Sequence, residues 1–533
     1  MIGTSLPEYI FIRVAIFFLQ YTAPICLSYP LISATVSGDV VGVLSRTSSQ
    51  VVIGYSVLDA LYATFVFYPY QKRLKEEANH PPLPPPPERQ ALFKRCLDNI
   101  PNVSRYLQKW FLGADMADIK REDVRDFISW AFFDRWPGLG TNAENKELDQ
   151  YVSQVEEQIG HELEPGTGKA KSLRLTLDEI PFSYRSVIWY TIIGGVDIYT
   201  HIQFIRRGFQ YYAQPSPLSH CVVPPRPHSL FSKRRSVGKL SYYYRPHTAK
   251  DKLPVLFLHG IGIGLWTYVP YLSSLNELSS ETDQIGIIAL EVLPVSFRLT
   301  DAPLGRDEFL SEITAILAAH GWNRFVTIGH SYGTVLAAYL LNSALLNPRV
   351  DSVLLIDPVC LLLHLPDVAF NFTRRKPRKA NEWLLWYFAS MDPGVAHCLG
   401  RHFFWKECIV WKEDLVRTGQ NPLSGDQTAS NLSGVSATRR VAVCLGERDL
   451  IVDTPVMLQY LTGKGDWALT KGVLGDYSSD DSKERNLGLT KDHFENDGIE
   501  VLWFPGLDHA QVFDYPEACS RVASVTRRLC TRQ

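Results

Sequence analysis

The nine cysteines of this chain include no Cys-x-x-Cys pair, and their odd number and scattered positions exclude a disulfide framework and a zinc site. Reducing surroundings suit such a set. Also absent are a His-Glu-x-x-His run, a P-loop, a Rossmann glycine signature, any internal repeat and a terminal Ser-Lys-Leu, the chain finishing Thr531-Arg532-Gln533. Zinc-dependent proteolysis, nucleotide hydrolysis and dinucleotide chemistry therefore lack their customary residues, and no cofactor or metal is expected. A dominant charge is missing as well. Lys and Arg total 54 against 56 Asp and Glu, a net charge of −2, which gives no electrostatic case for nucleic acid.

What is present is a chain of 533 residues, 46% hydrophobic, long enough to bury a large core. Its most informative stretch is Gly329-His330-Ser331-Tyr332-Gly333, entered by the apolar run Phe325 to Ile328 and followed by the helix-like run Thr334 to Leu346. This is a Gly-x-Ser-x-Gly nucleophile elbow in a strand-turn-helix setting. The glycines leave room for strand and helix to pack closely about a strained Ser331, whose hydroxyl is pushed out within reach of a base.

Upstream, the buried-strand run Leu253 to Leu258 leads into His259-Gly260-Ile261-Gly262-Ile263-Gly264, a loop able to offer backbone amides to an oxyanion. A second apolar strand, Ile285 to Leu290, and an amphipathic helix around Phe309 to Ala319 come before the elbow. Strands Val353 to Ile356, Arg440 to Leu445 and Ile499 to Phe504 come after it. Short apolar strands alternating with helices imply a parallel sheet covered by helices on both faces. The last two strands run into Gly446-Glu447-Arg448-Asp449 and Gly506-Leu507-Asp508-His509. With these motifs in the order Ser, Asp, His, residues from about 238 to 533 resemble the α/β-hydrolase fold superfamily.

The resemblance implies an α/β-hydrolase fold with a mostly parallel sheet and a helical lid. It also implies Ser331 as nucleophile, His509 as its base and Asp449 as the acid that orients the imidazole. Asp357, ending an earlier strand in Ile356-Asp357-Pro358, is the rival acid, and Glu447 and Asp453 share the Asp449 loop. Backbone N–H groups of Ile261 and Tyr332 would form the oxyanion hole, with Gly260, Gly262 and Trp266 assigned to substrate binding. His259 and His330 are read as structural.

Between Asp357 and Arg440 lies more chain than one crossover helix needs, the expected lid at about 360–435. It carries Trp383, Trp386, Tyr387, Phe388, Phe403, Phe404, Trp405 and Trp411, interleaved with Arg374, Arg375, Lys376, Arg378 and Lys379. Such aromatics suit an apolar acyl group or the lid's own core, and the cations suit a solvated face or anionic headgroups. A second insertion, Gly463 to Asp497, is charged and rich in Gly, Ser and Asp, as a surface excursion would be.

The N-terminal part differs in kind. Tyr9 to Val36 is largely apolar, broken by Arg13, Gln20, Pro24 and Pro30. Val51 to Tyr70 has Asp59 as its one charge and precedes Lys72, Arg73 and Lys75. The second stretch is the better candidate for a span with its basic flank in the cytosol, and the first is either a second span completing a hairpin or a signal-anchor-like segment, giving a single- or double-span anchor; burial in a soluble accessory domain is the alternative for both. The expected organisation is membrane-associated segments over 1–75, a proline-rich stiff linker over 76–90, a helical accessory region over 91–235 and a catalytic domain over 236–533. Val187 to Ile205 is apolar enough for a membrane-lying helix, although Asp197 and His201 favour packing against protein. The sequons at Asn102, Asn371 and Asn431 bear on placement only if the domain is luminal; a cytosol-facing catalytic domain is expected.

The resulting expectation is a membrane-associated serine hydrolase cleaving an ester or related acyl bond of a hydrophobic substrate, with no nucleic-acid partner. Long chains of this architecture with an N-terminal anchor resemble α/β-hydrolases of fungi. An acyltransferase with the same three side chains and a non-catalytic binding protein that kept the fold are the alternatives. Epoxide hydrolase and dehalogenase chemistry is disfavoured, since Asp usually stands there in place of Ser331.

Overall fold

The computed structural model describes residues 2–215, 222–277, 279–416, 438–463, 493–496 and 498–532. Among these, nine strands make one sheet: β1 (Gln210–Tyr212), β2 (Tyr242–Arg245), β3 (Val255–Leu258), β4 (Ile287–Leu290), β5 (Phe325–His330), β6 (Val350–Ile356), β7 (Arg440–Gly446), β8 (His493–Asn496) and β9 (Ile499–Phe504). Their order is β1-β2-β4-β3-β5-β6-β7-β9-β8. The run from β4 to β9 is parallel, and β1, β2 and β8 are antiparallel at the edges.

Composition explains this division. Every residue of β3, β4 and β5 is buried, because crossover helices cover both faces, whereas β1 and β2 are tyrosine-rich and only partly covered. Along β3, Leu256 and Leu258 join one apolar layer while Val255 and Phe257 join the other, as the strand's period of two requires. Tyr212 stacks on its cross-strand partner Tyr242 with ring centroids 4.9 Å apart. The domain boundary expected at residue 235 is therefore crossed by the sheet, since β1 precedes it.

Two long helices open the chain: α1 (Leu6–Ser37), started by a Ser5/Glu8 capping box, and α2 (Thr47–Leu74), which passes through a π-helical turn at Ala63–Phe67. Both are long and apolar enough to cross a membrane, and only 17% and 22% of their most apolar windows are buried. Pro24 and Pro30 lie inside α1 without ending it.

The proline run is extended only to Pro85. Pro86 and Pro87 form the first turn of α3 (Pro86–Asp98), where a missing N–H costs nothing. Next come α4 (Val103–Trp110), α5 (Arg121–Phe133), α6 (Asn142–Ile159) and α7 (Val187–Arg206), then the crossovers α8 (Arg306–Ala319) and α9 (Tyr332–Leu341). The expected lid contains helices Pro366–Thr373, Ala380–Leu384 and Pro393–Arg401. Residues 417–437, which include the end of the expected lid and Asn431, and residues 464–492 and 497 of the second insertion lie outside the described residues. All eight described cysteines are free.

Candidate active site

Strand register assembles the site. Leu258 pairs with Gly329 and His330 with Ile356, so the chain leaves β3, β5 and β6 side by side at their C-terminal ends. Ser331 occupies φ 51°, ψ −121°, a costly conformation for a serine. Its N–H donates to the Ile356 carbonyl at 3.0 Å, and its own carbonyl accepts from Thr334 N at 2.8 Å and Thr334 Oγ1 at 2.6 Å. Two glycines permit the packing: a Cβ on Gly333 would sit 2.0 Å from the Leu258 carbonyl oxygen, and one on Gly260 would sit 2.8 Å from Ser331 Cβ.

Ser331 Oγ lies 2.8 Å from His509 Nε2, and His509 Nδ1 lies 2.7 Å from Asp449 Oδ2. A carboxylate only accepts, so Nδ1 carries the proton and Nε2 is left to accept one from the serine. The other Asp449 oxygen accepts from Ile451 N at 2.7 Å and Val452 N at 3.1 Å, which aims the carboxylate. Burial opposes a charge on His509, but Asp449, through its charge and hydrogen bond, with Asp357 and Asp508 behind it, raises the imidazole to about 9.

The rival acid does different work. Asp357, at φ 43° and fully buried, accepts from Gly446 N at 3.3 Å and Ala510 N at 2.7 Å, and stands 3.6 Å from His330 Nε2. Burial alone would raise its carboxyl; His330, His509 and the Ala510 N–H hold it below the usual range. Glu447 accepts from Gly506 N at 2.7 Å, and Asp453 caps the helix Thr454–Thr462 through Val456 N at 3.3 Å.

Asp508 has no role legible from its sequence position, yet its Oδ1 accepts from both Leu450 N (2.9 Å) and His509 N (2.7 Å). One oxygen thus ties the loop of Asp449 to the loop of His509. Its Oδ2 accepts from Asn381 Nδ2, on the helix Ala380–Leu384, at 2.7 Å. Burial and the nearby Asp449 charge push this carboxyl up to about 6. The ligand atoms of Asp357, Asp449 and His509 lie within 4.8 Å of one another. They are already engaged in the bonds above, so the set is an internal hydrogen-bond cluster rather than a cation cradle.

His259 shapes the neighbouring loop: Nε2 accepts from Val292 N at 2.9 Å and Nδ1 donates to the Gly260 carbonyl at 2.8 Å, with burial lowering the ring to about 4. His330 Nδ1 meets the Tyr268 hydroxyl at 2.7 Å. Tyr332 opens α9, where its N–H has no intrahelical acceptor, and the N–H of Ile261 has none among the described residues. Both residues line the cavity beside Ser331. Gly260 N–H donates to Tyr268 Oη at 3.2 Å and Gly262 N–H to the Val295 carbonyl at 3.1 Å, so neither amide is open to a substrate. Trp266, expected at the binding site, is instead on the outer surface against Tyr199, ring centroids 5.0 Å apart, because the chain turns away into the short helix Trp266–Tyr268.

A cavity opens on Ser331. Phe403, Phe404 and Trp405 of the expected lid line it, and so do Trp110 of α4 with Phe127 and Trp130 of α5. The accessory region thus supplies a wall of the site. The remaining lid aromatics pack elsewhere: Tyr387 joins Ile12 and Ile16 of α1 in a small core with Trp383, Trp386 and Phe388 against it, and Trp411 packs under Arg95. Arg374 pairs with Asp178 at 3.6 Å and Arg375 with Glu382 at 3.7 Å, while Lys376, Arg378 and Lys379 are exposed.

Residues 255–522 match the model of the alpha/beta hydrolase family. Similar solved structures include a membrane phospholipase A described as a bacterial virulence factor (13% identity, 64% of this chain and 92% of that one, TM-score 0.34). Others are naproxen esterase from Bacillus subtilis (14%, 63% and 97%, 0.33) and carboxylesterase CesB from Bacillus subtilis (11%, 62% and 98%, 0.31). No curated protein sequence matches the chain.

Proposed function

The chain belongs to the alpha/beta hydrolase family, and from that premise we propose that it is a serine hydrolase cleaving a carboxylic ester of a hydrophobic substrate through an acyl-serine intermediate. The observation that carries this reading is the Ser331–His509–Asp449 relay, with contacts of 2.8 and 2.7 Å, opening on an aromatic-walled cavity.

In this reading Ser331 Oγ attacks the ester carbonyl carbon while its proton passes to His509 Nε2. The backbone N–H groups of Ile261 and Tyr332 take the developing negative charge. Collapse breaks the carbon–oxygen bond to the alcohol, which leaves with the proton from His509. Water then attacks the acyl-serine, giving its proton to the same nitrogen, and the acid departs as Ser331 is regenerated. Asp449 keeps the tautomer that allows both transfers. We further propose that α1 and α2 anchor the chain in a membrane, with the catalytic domain on the cytosolic side, which would keep such substrates at hand.

The test is labelling of the detergent-solubilised full chain with a fluorophosphonate, followed by a screen of esters of graded acyl length. Labelling lost in both Ser331→Ala and His509→Ala supports the reading. A folded wild-type chain that neither labels nor turns over any ester would count against it. Analysis of products with an added alcohol separates hydrolysis, which yields free acid, from acyl transfer, which yields a new ester.

A further inference from the structure

Helix α7 has two faces of opposite character. Inward, Asp197 is buried against Arg226 at 3.0 Å and Arg298 at 2.9 Å, Phe204 stacks on Tyr243, and His201 Nδ1 meets the Tyr243 hydroxyl at 3.1 Å. These contacts fix the helix to the sheet. Outward, Ile192, Ile198, Tyr199, Ile202 and Ile205 are each 43–50% exposed. The gaps between them keep them on one side of a helix, and Trp266 extends the stripe through its contact with Tyr199. Between Val187 and Ile205 the one ionised side chain is Asp197, which points away. Thr191 is the one polar side chain on this face, and its hydroxyl donates to the Val187 carbonyl at 2.9 Å; an apolar stripe of this kind calls for a partner.

The neighbour at its start indicates which. The carboxylate of Asp59, the lone charge within Val51 to Tyr70 of α2, is buried and accepts from Val187 N at 2.8 Å and from the Tyr184 hydroxyl at 2.9 Å. Asp59 is thus consumed in holding the first turn of α7 against α2. The stripe thus begins where α7 meets α2, a helix whose own Val57, Leu58, Leu61 and Phe65 are all about half exposed or more. Beyond Ile205 the helix ends in exposed Arg206 and Arg207, side chains that suit a headgroup layer.

We propose that the outer face of α7, extended by Trp266, is seated in the lipid bilayer as a third membrane-contacting element beside α1 and α2. The proposal rests on reading α1 and α2 as membrane segments. It goes beyond that reading because α7 is rooted in the sheet, so the catalytic domain itself is held against the bilayer instead of trailing from a tether.

The test uses the full chain reconstituted in phosphatidylcholine–phosphatidylserine vesicles, with a nitrobenzoxadiazole label on single introduced cysteines. The positions are Tyr199→Cys and Ile202→Cys on α7, Phe17→Cys on α1, and Leu345→Cys, exposed just beyond α9 at the end of the sheet opposite Ser331. Wild-type protein labelled in parallel gives the background from native cysteines. The expected result is blue-shifted emission at 199, 202 and 17 that loses most of its intensity with brominated-chain lipids, and no loss at 345. Labels at 199 and 202 that behave like 345 while 17 is quenched overturn the proposal and leave the anchor standing. Failure of quenching at 17 as well removes the anchor and the proposal together. Efficient cross-linking between chains of the Tyr199→Cys variant, without lipid quenching, gives the face to a second copy and also overturns it.

Discussion

Asp357 holds Ala510: its Oδ2 accepts the Ala510 N–H at 2.7 Å, one residue beyond His509. The carboxylate that rivals Asp449 in sequence therefore braces the backbone of the histidine loop without bonding the imidazole. Asp449→Asn should leave the fold intact and reduce kcat by about 10⁴-fold, since an amide facing Nδ1 favours the wrong tautomer. Asp357→Asn should show its larger effect in thermal unfolding. Steady-state kinetics and melting curves of the two variants check this, and the reverse pattern would give the orienting role to Asp357.

The pH dependence has a definite sign. His509 must be neutral to accept the Ser331 proton, and its neighbouring carboxylates raise it to about 9. Activity should therefore climb with pH and reach half its plateau near 9 instead of near 6.5. Stability from the charged imidazole runs the other way, present in full below 6.5 and lost as pH rises through 9. A kcat/KM profile of wild type against Asp449→Asn reads the shift, and the variant's limb should move to lower pH.

Asp508→Ala would leave the N–H groups of Leu450 and His509 without their acceptor. An unpaired buried donor costs ~1–3 kcal/mol, so denaturant unfolding should show a loss of at least that order. Because the two loops it joins carry Asp449 and His509, kcat should fall more than KM rises. Unchanged kcat in a destabilised variant would restrict Asp508 to a structural role.

Cavity size should set acyl length. Ala131 and Ala369 line the cavity, and Ala369→Trp would fill part of it. The expected outcome is a shift of kcat/KM toward shorter acyl esters with fluorophosphonate labelling retained. Parallel loss across all chain lengths would mean that the acyl group lies elsewhere.

At the elbow, Gly333→Ala would drive a methyl to 2.0 Å from the Leu258 carbonyl oxygen. Overpacking of this kind costs ~1–3 kcal/mol or more, which would reverse the usual gain from alanine in a helix. A lowered melting temperature checks it.

Much of the arrangement around Ser331 was legible because its signals are local. A strand run, a turn with glycines on either side of Ser331 and a helix run occupy consecutive residues at Phe325–Leu341. The loops ending in Asp449 and His509 each follow a strand directly. The tyrosine runs of β1 and β2 carry no strand signal, since three or four residues at a sheet edge show too little periodicity. Trp266 lies on the outer surface: closeness in sequence to the glycine loop does not decide which side of the sheet a short helix faces. The aromatic wall from Trp110, Phe127 and Trp130 has no local signature, since nothing in residues some two hundred positions upstream points to Ser331.

The sequence by itself determined the succession of the central strands β3 to β7 and β9, the candidate nucleophile, base and acids, and the apolar character of α1 and α2, because each depends on neighbouring residues alone. Only the tertiary structure decided which acid bonds His509, that Asp508 joins the two loops, and that the accessory helices wall the cavity. It also decided that Asp59 is used up capping α7. Those outcomes depend on where distant backbones meet, and burial then forces each polar group there to find a partner that no local pattern encodes.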